Sequence, residues 1–170
     1  MTSPDLQRCR FKDRPRNVRI LGKLLLLAIL GLPLAAEARQ NLDDGTAIQG
    51  FDPVSYFDRV PRMGDRDIIV IHAGATYRFF NEANRKRFVS DPDRFVPAFG
   101  GFCAWGVLDD DDHEDIHPGS WKIVNDRLLL FYKGYLGDGK RDWNDAATVR
   151  GGDQALLENA ETTWRRMQTD

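Results

Sequence analysis

The stretch "GATYRFFNEANRKRF", Gly74 to Phe88, changes its period halfway along. Tyr77 and Phe79 alternate with the polar Thr76 and Arg78, the two-residue period of a half-buried strand. Asn81 then stands where a helix N-cap belongs, and Glu82 follows in the first turn, where a carboxylate complements the helix dipole. A strand handed directly to a helix points to a mixed fold. Upstream, Ile68 to Ile71 is a β-branched run and Ala73-Gly74 supplies a turn, which predicts a hairpin over Ile68 to Phe79. Downstream, the helix should end near Ser90, and a second should begin at Asp91 with Pro92 in its first position, where the missing N–H does no harm.

The rest of the chain repeats these devices. "WKIVNDRLLLFY", Trp121 to Tyr132, reads as a second hairpin turning at Asn125-Asp126. "FDPVSYF", Phe51 to Phe57, opens on an Asp-Pro turn. Near the end, Asp153 is expected to cap a helix whose Leu156, Leu157, Ala160, Trp164 and Met167 form one apolar stripe at a 3.6 period. Tyr56, Tyr77, Phe79, Phe88, Phe95, Trp121 and Trp164 are the expected aromatic core. The sum is a small single-domain α+β fold with two β-hairpins, several short helices and a C-terminal helix packed on the sheet.

The first 38 residues read differently. Seven basic residues precede the apolar run "LLLLAILGLPLAA", which closes in Ala36-Glu37-Ala38, a small-x-small cleavage pattern. The run is short of the roughly 20 residues a membrane span requires. Residues 1–38 are therefore expected to be a signal peptide, 39–45 a short polar lead and 46–168 the folded domain, with a periplasmic or secreted destination. A retained anchor is the alternative. The whole chain has 24 basic and 26 acidic residues; the leader holds seven and three of them, which leaves 17 against 23, a net charge near −6. That balance argues against nucleic acid or an anionic membrane as the partner.

Cleavage would also remove Cys9 and leave Cys103 as the only thiol, so no internal disulfide could form. Cys103 lies in "GGFCAWG", Gly100 to Gly106. Gly100 and Gly101 permit a close backbone approach to a ligand or a tight turn against the core. Phe102 and Trp105 could line a small pocket. The residues leave three roles open for Cys103: ligand contact, thiol nucleophile, or packed small hydrophobe. His113 and His117 are four apart, a metal-ligand spacing on a helix, but acidic residues crowd the stretch, His113 lying within the run "DDDDHED", and Pro118 discourages helical angles at His117. His72 closes the first hairpin strand. No phosphate loop, no His-Glu-x-x-His and no nucleophile–base spacing appears in the sequence.

"GFDPVSYF", "GATYRFFNEANRKRF", "DPDRFVPAFGGFCAWG" and "WKIVNDRLLLFY", in this order, resemble the YHS-domain proteins, in particular their exported bacterial branch, over roughly Ala47 to Trp164. The family is similar to the TRASH-type metal-binding modules, and its cysteine-rich form is associated with soft metal ions. The positions that carry cysteine in that form fall here on Ser55, Phe80 and Asn84. The resemblance thus implies the fold more firmly than a metal site, because a soft metal wants several thiolates or imidazoles. The expectation is an exported binding module that contacts a small ligand or a transition metal, copper or zinc, through Cys103, Gly100, Gly101, Phe102 and Trp105, with His113 and His117 as further metal donors. The rival is a structural or protein-interaction domain that meets another envelope protein, with Cys103 in the core. A thiol-dependent enzyme is the third reading.

Overall fold

Asp44-Gly45 begins the described fold with a turn that the reading of a polar lead passes over. The computed structural model describes residues 39–169, so the leader expected over 1–38 lies outside the described residues. Strands β1 (Leu42–Asp43) and β2 (Thr46–Ala47) pair antiparallel across that turn, whose two residues both have positive φ. An Asp-Gly pair is the favoured chemistry for such a turn. The lead is thus part of the fold and not an unstructured approach to it.

The first expected hairpin forms as read. Strands β3 (Asp65–His72) and β4 (Ala75–Phe79) pair antiparallel around Ala73 and Gly74, at φ 47° and 81°. β2 lies parallel to β4, giving a four-stranded sheet in the order β1-β2-β4-β3. Helix α1 (Glu82–Ser90) is capped by Asn81, whose side chain accepts from the Asn84 N–H at 2.8 Å. Helix α2 is a single turn, Pro92–Phe95. Phe79 and Phe88 are fully buried and their rings meet at 5.1 Å, which locks α1 onto β4.

Strands β5 (His117–Val124) and β6 (Arg127–Phe131) form the second hairpin around Asn125 and Asp126, both left-handed. The segment Pro97 to Cys103 runs along the other side of β6, bridging in parallel at Pro97–Leu128 and Cys103–Leu130. Three elements were absent from the sequence reading. Strands β7 (Lys133–Gly134) and β8 (Gly137–Asp138) make a short hairpin, and helix α3 (Gly139–Val149) follows, capped by the Asp138 carboxylate on the Arg141 N–H at 3.2 Å. α3 buries Trp143 against Phe131, ring centroids 5.7 Å apart.

Helix α4 (Gly152–Met167) lies against α3, touches β5 and packs on the wide turn Gly106–Asp110. Its stripe is buried at Leu156, Leu157 and Ala160, while Trp164 and Met167 are only half-buried. Asp153 does not cap it. Gly151 holds that position at φ 91°, and Asp153 turns instead to accept from Lys122 Nζ at 2.6 Å and the Trp143 indole N–H at 2.9 Å. A carboxylate that answers both a lysine and a buried indole is worth more there than at an exposed helix end. The described residues make one α+β unit, and none of their helices is long and apolar enough to cross a membrane.

Candidate functional site

Phe99, Gly100 and Gly101 are left-handed in succession, at φ 55°, 60° and 84°. The close approach that the glycines permit is made by the chain itself. A methyl group on Gly100 would stand 2.3 Å from the Arg39 carbonyl oxygen. Asn41 donates its N–H to Gly100 O at 2.9 Å and its side-chain amide to Gly101 O at 3.2 Å. Gly100 and Gly101, expected as ligand contacts, instead seat residues 39–41.

That strap continues to the end of the domain. Arg39 N donates to Gln168 Oε1 at 3.1 Å, and its guanidinium donates to His113 Nδ1 at 3.4 Å. The His113 ring is wedged between Phe102, at 4.8 Å, and Trp164, at 5.7 Å. Burial, and then the neighbouring Arg39 charge, hold its pKa below 6.5. His117 is not beside it on a helix. It opens β5, exposed, with Nδ1 accepting from the Gly119 N–H at 3.0 Å. The helical ligand pair therefore does not form, as Pro118 foretells.

Cys103 is fully buried. Its N–H donates to Glu114 O at 3.0 Å, the Gly106 N–H approaches its sulfur at 3.5 Å, and a methyl group on Gly139 would stand 3.1 Å from Sγ. Burial pushes the thiol up to about 11, and the Glu114 carboxylate pushes the same way against the main chain of Tyr132 and Gly106. At neutral pH the sulfur is a protonated thiol, a poor nucleophile and a poor ligand. Phe102 is buried beside it and Trp105 is half-buried under the Arg150 guanidinium, 5.7 Å from the ring. His72 meets Phe88 edge to face, centroids 5.8 Å apart. Among the described residues no group of three or more His, Cys, Asp or Glu side chains could hold a metal ion.

Ser55, Phe80 and Asn84, the positions set against cysteines by the resemblance, do converge, and what they converge on is a carboxylate. Asp52 is fully buried. Its Oδ1 accepts from Val54 N at 2.8 Å and Ser55 N at 3.4 Å, and its Oδ2 accepts from Phe80 N at 2.9 Å and Asn84 Nδ2 at 2.7 Å. Four donors satisfy the buried anion. Every one of them is an N–H pointing inward, so the site offers no free lone pair to a cation. The sequence reading passed over Asp52 except as a turn residue, although an Asp-Pro step opening a helical turn is also an N-cap pattern.

A concavity at the GGFCAWG loop lies outside the buried sulfur. A cavity of about 150 Å³ opens between Trp105, Asp110, Glu114, Tyr132, Leu136 and Asp138. Its floor is Gly139, the residue that covers Sγ. Trp105 is the only residue expected as a ligand contact that reaches it. A larger cleft of about 340 Å³ lies between Asn41 to Asp43, Ile48 to Gln49 and Asp115 to Ile116, but its walls carry no thiol, imidazole or aromatic ring. Comparison with family models, with curated proteins and with solved structures finds no match to the chain.

Proposed function

We propose that this chain is a small, non-catalytic interaction domain of the YHS type, exported to the cell envelope, where it engages a partner protein, with Cys103 serving as a core residue. The observation that carries this reading is that the GGFCAWG loop spends its special residues internally. Its glycines admit residues 39–41, and its sulfur is sealed under Gly139 with a thiol pKa of about 11. The YHS assignment rests on the sequence resemblance, and at its cysteine positions Ser55 and Phe80 give backbone N–H groups and Asn84 its side-chain amide to Asp52, with no thiolate among them. Glu114 raises the thiol instead of activating it, which disfavours a thiol enzyme.

The test is a side-by-side titration of full-length protein in a Cys9→Ser background, which leaves Cys103 as its only thiol, with copper(I) and with zinc, comparing the parent, Cys103→Ser and a His113→Ala/His117→Ala double variant. The expected result is no stoichiometric uptake that depends on Cys103. The folded parent should also resist iodoacetamide, with Cys103 labelled only after unfolding. One equivalent of metal bound by the parent and lost in Cys103→Ser would overturn the reading and restore the loop as a metal site.

A further inference from the structure

Four two-residue hairpin turns occur among the described residues, and one breaks the rule the others keep. Asp44-Gly45, Ala73-Gly74 and Asn125-Asp126 are left-handed at both positions, which matches the twist of the strands they join. The turn between β7 and β8 is Tyr135-Leu136, and neither residue is left-handed. Both side chains stand in solvent, 101% and 88% exposed. Turn chemistry does not call for these residues, and water does not favour them. A local rule broken in two ways at one point is where a functional feature is to be sought.

The tip is also braced. The Tyr132 hydroxyl sits under it, accepting from the Leu136 N–H at 3.5 Å, and Gly134 admits that ring because any side chain there would collide with it. Leu136 is itself a wall of the acidic cavity beside Trp105. Four carboxylates line that cavity: Asp110, Glu114, Asp138 and Asp142. Lys133 lies 3.8 Å from Asp138, and Arg141 lies 3.0 Å from Asp142. Asp110 and Glu114 form no ion pair among the described residues. The surface therefore couples an apolar knob to a cavity with uncompensated negative charge.

We propose that the β7–β8 tip and this cavity dock a segment of a partner protein that presents a lysine or arginine next to an apolar side chain. Tyr135 and Leu136 cover the apolar residue. The cation enters past Trp105, whose ring Arg150 already covers, and meets the carboxylates of Asp110 and Glu114 through charge attraction. A braced aromatic–aliphatic pair costs little further ordering on binding, as an interface anchor should. The inference rests on the reading of the chain as a protein-interaction domain.

The probe is a capped hexapeptide of alternating lysine and leucine, titrated into full-length ¹⁵N-labelled protein, with a glutamate–leucine hexapeptide as control. The lysine peptide should shift the amides of Gly137 and Gly139 and the Trp105 indole, and the glutamate peptide should not. A Tyr135→Ser/Leu136→Ser variant and an Asp110→Asn variant should each weaken that response at least tenfold while melting at the parent temperature. Equal shifts from both peptides, shifts that survive the tip variant, or no shifts at all would overturn the docking surface. Cys103-dependent metal uptake, read in the separate metal titration, would overturn the underlying reading instead.

Discussion

Asp52 decides more of this fold than any other single side chain. It is an acceptor for two elements at once, the Pro53–Tyr56 turn through Val54 and Ser55, and the start of α1 through Phe80 and Asn84. Removing the carboxylate strands the donors gathered on it, three of whose hydrogen bonds are buried, and each unsatisfied buried donor costs about 1–3 kcal/mol. Asp52→Ala is therefore expected to lower the stability by about 3 kcal/mol or more in denaturant titration. Asn84→Ala, which removes a donor and leaves the acceptor three partners, should cost less. Equal or negligible losses would mean that the carboxylate is not the hub. Neighbouring detail at this scale was only partly legible in the sequence. The Asn81 cap could be read because a cap and its target are three residues apart. The partners of Gly100 and Gly101 could not, because residues 39–41 lie some sixty positions away along the chain and nothing local announces them.

Among the elements, the hairpins over Ile68 to Phe79 and Trp121 to Tyr132 were legible because turn chemistry and alternation are local. Helix α3 was not. Its buried side chains are Trp143 and the small Ala146, Val149 at its end is exposed, and no Leu, Ile, Met or Phe marks the face. Helix α4 was legible as a helix but misjudged at both ends, where Gly151 displaces Asp153 as the cap and Trp164 is half-buried against Phe99, Phe102 and His113. That junction should respond to acid. His113 sits between Phe102 and Trp164 and faces Arg39, with Asp112 the acid beside it on its own segment. Burial and Arg39 lower its pKa in the fold and Asp112 opposes them, so protonation favours the unfolded chain. Its contribution to stability is complete above the ordinary value of 6.5 and is lost as pH falls through the lowered one. Wild type should thus lose more stability than His113→Gln between about pH 7 and 5. Parallel pH profiles for the two proteins would refute this.

At the scale of the whole molecule, the α+β class and the single domain follow from the order of strands and helices, and the four short sheet and turn elements between Arg39 and Ala47 and between Lys133 and Asp138 complete it. The acidic balance of residues 39–170 finds its local expression at the cavity of Asp110 and Glu114. The contact between Arg39 N and Gln168 Oε1 has a further consequence. It places the two ends of the described fold side by side, so residues 39–168 form a loop closed by a hydrogen bond where a peptide bond would serve as well. A circular permutant, with residues 169 and 39 joined by a short glycine–serine linker and new termini opened between Tyr135 and Leu136, keeps every buried contact of the core. It should unfold in one transition within about 10 °C of the parent, the shift expected for a change of one or two kcal/mol. Loss of a cooperative transition would mean that the strap needs its own free end. The order in which the elements are threaded would then matter to this fold, whereas the geometry of its ends argues that only their adjacency does.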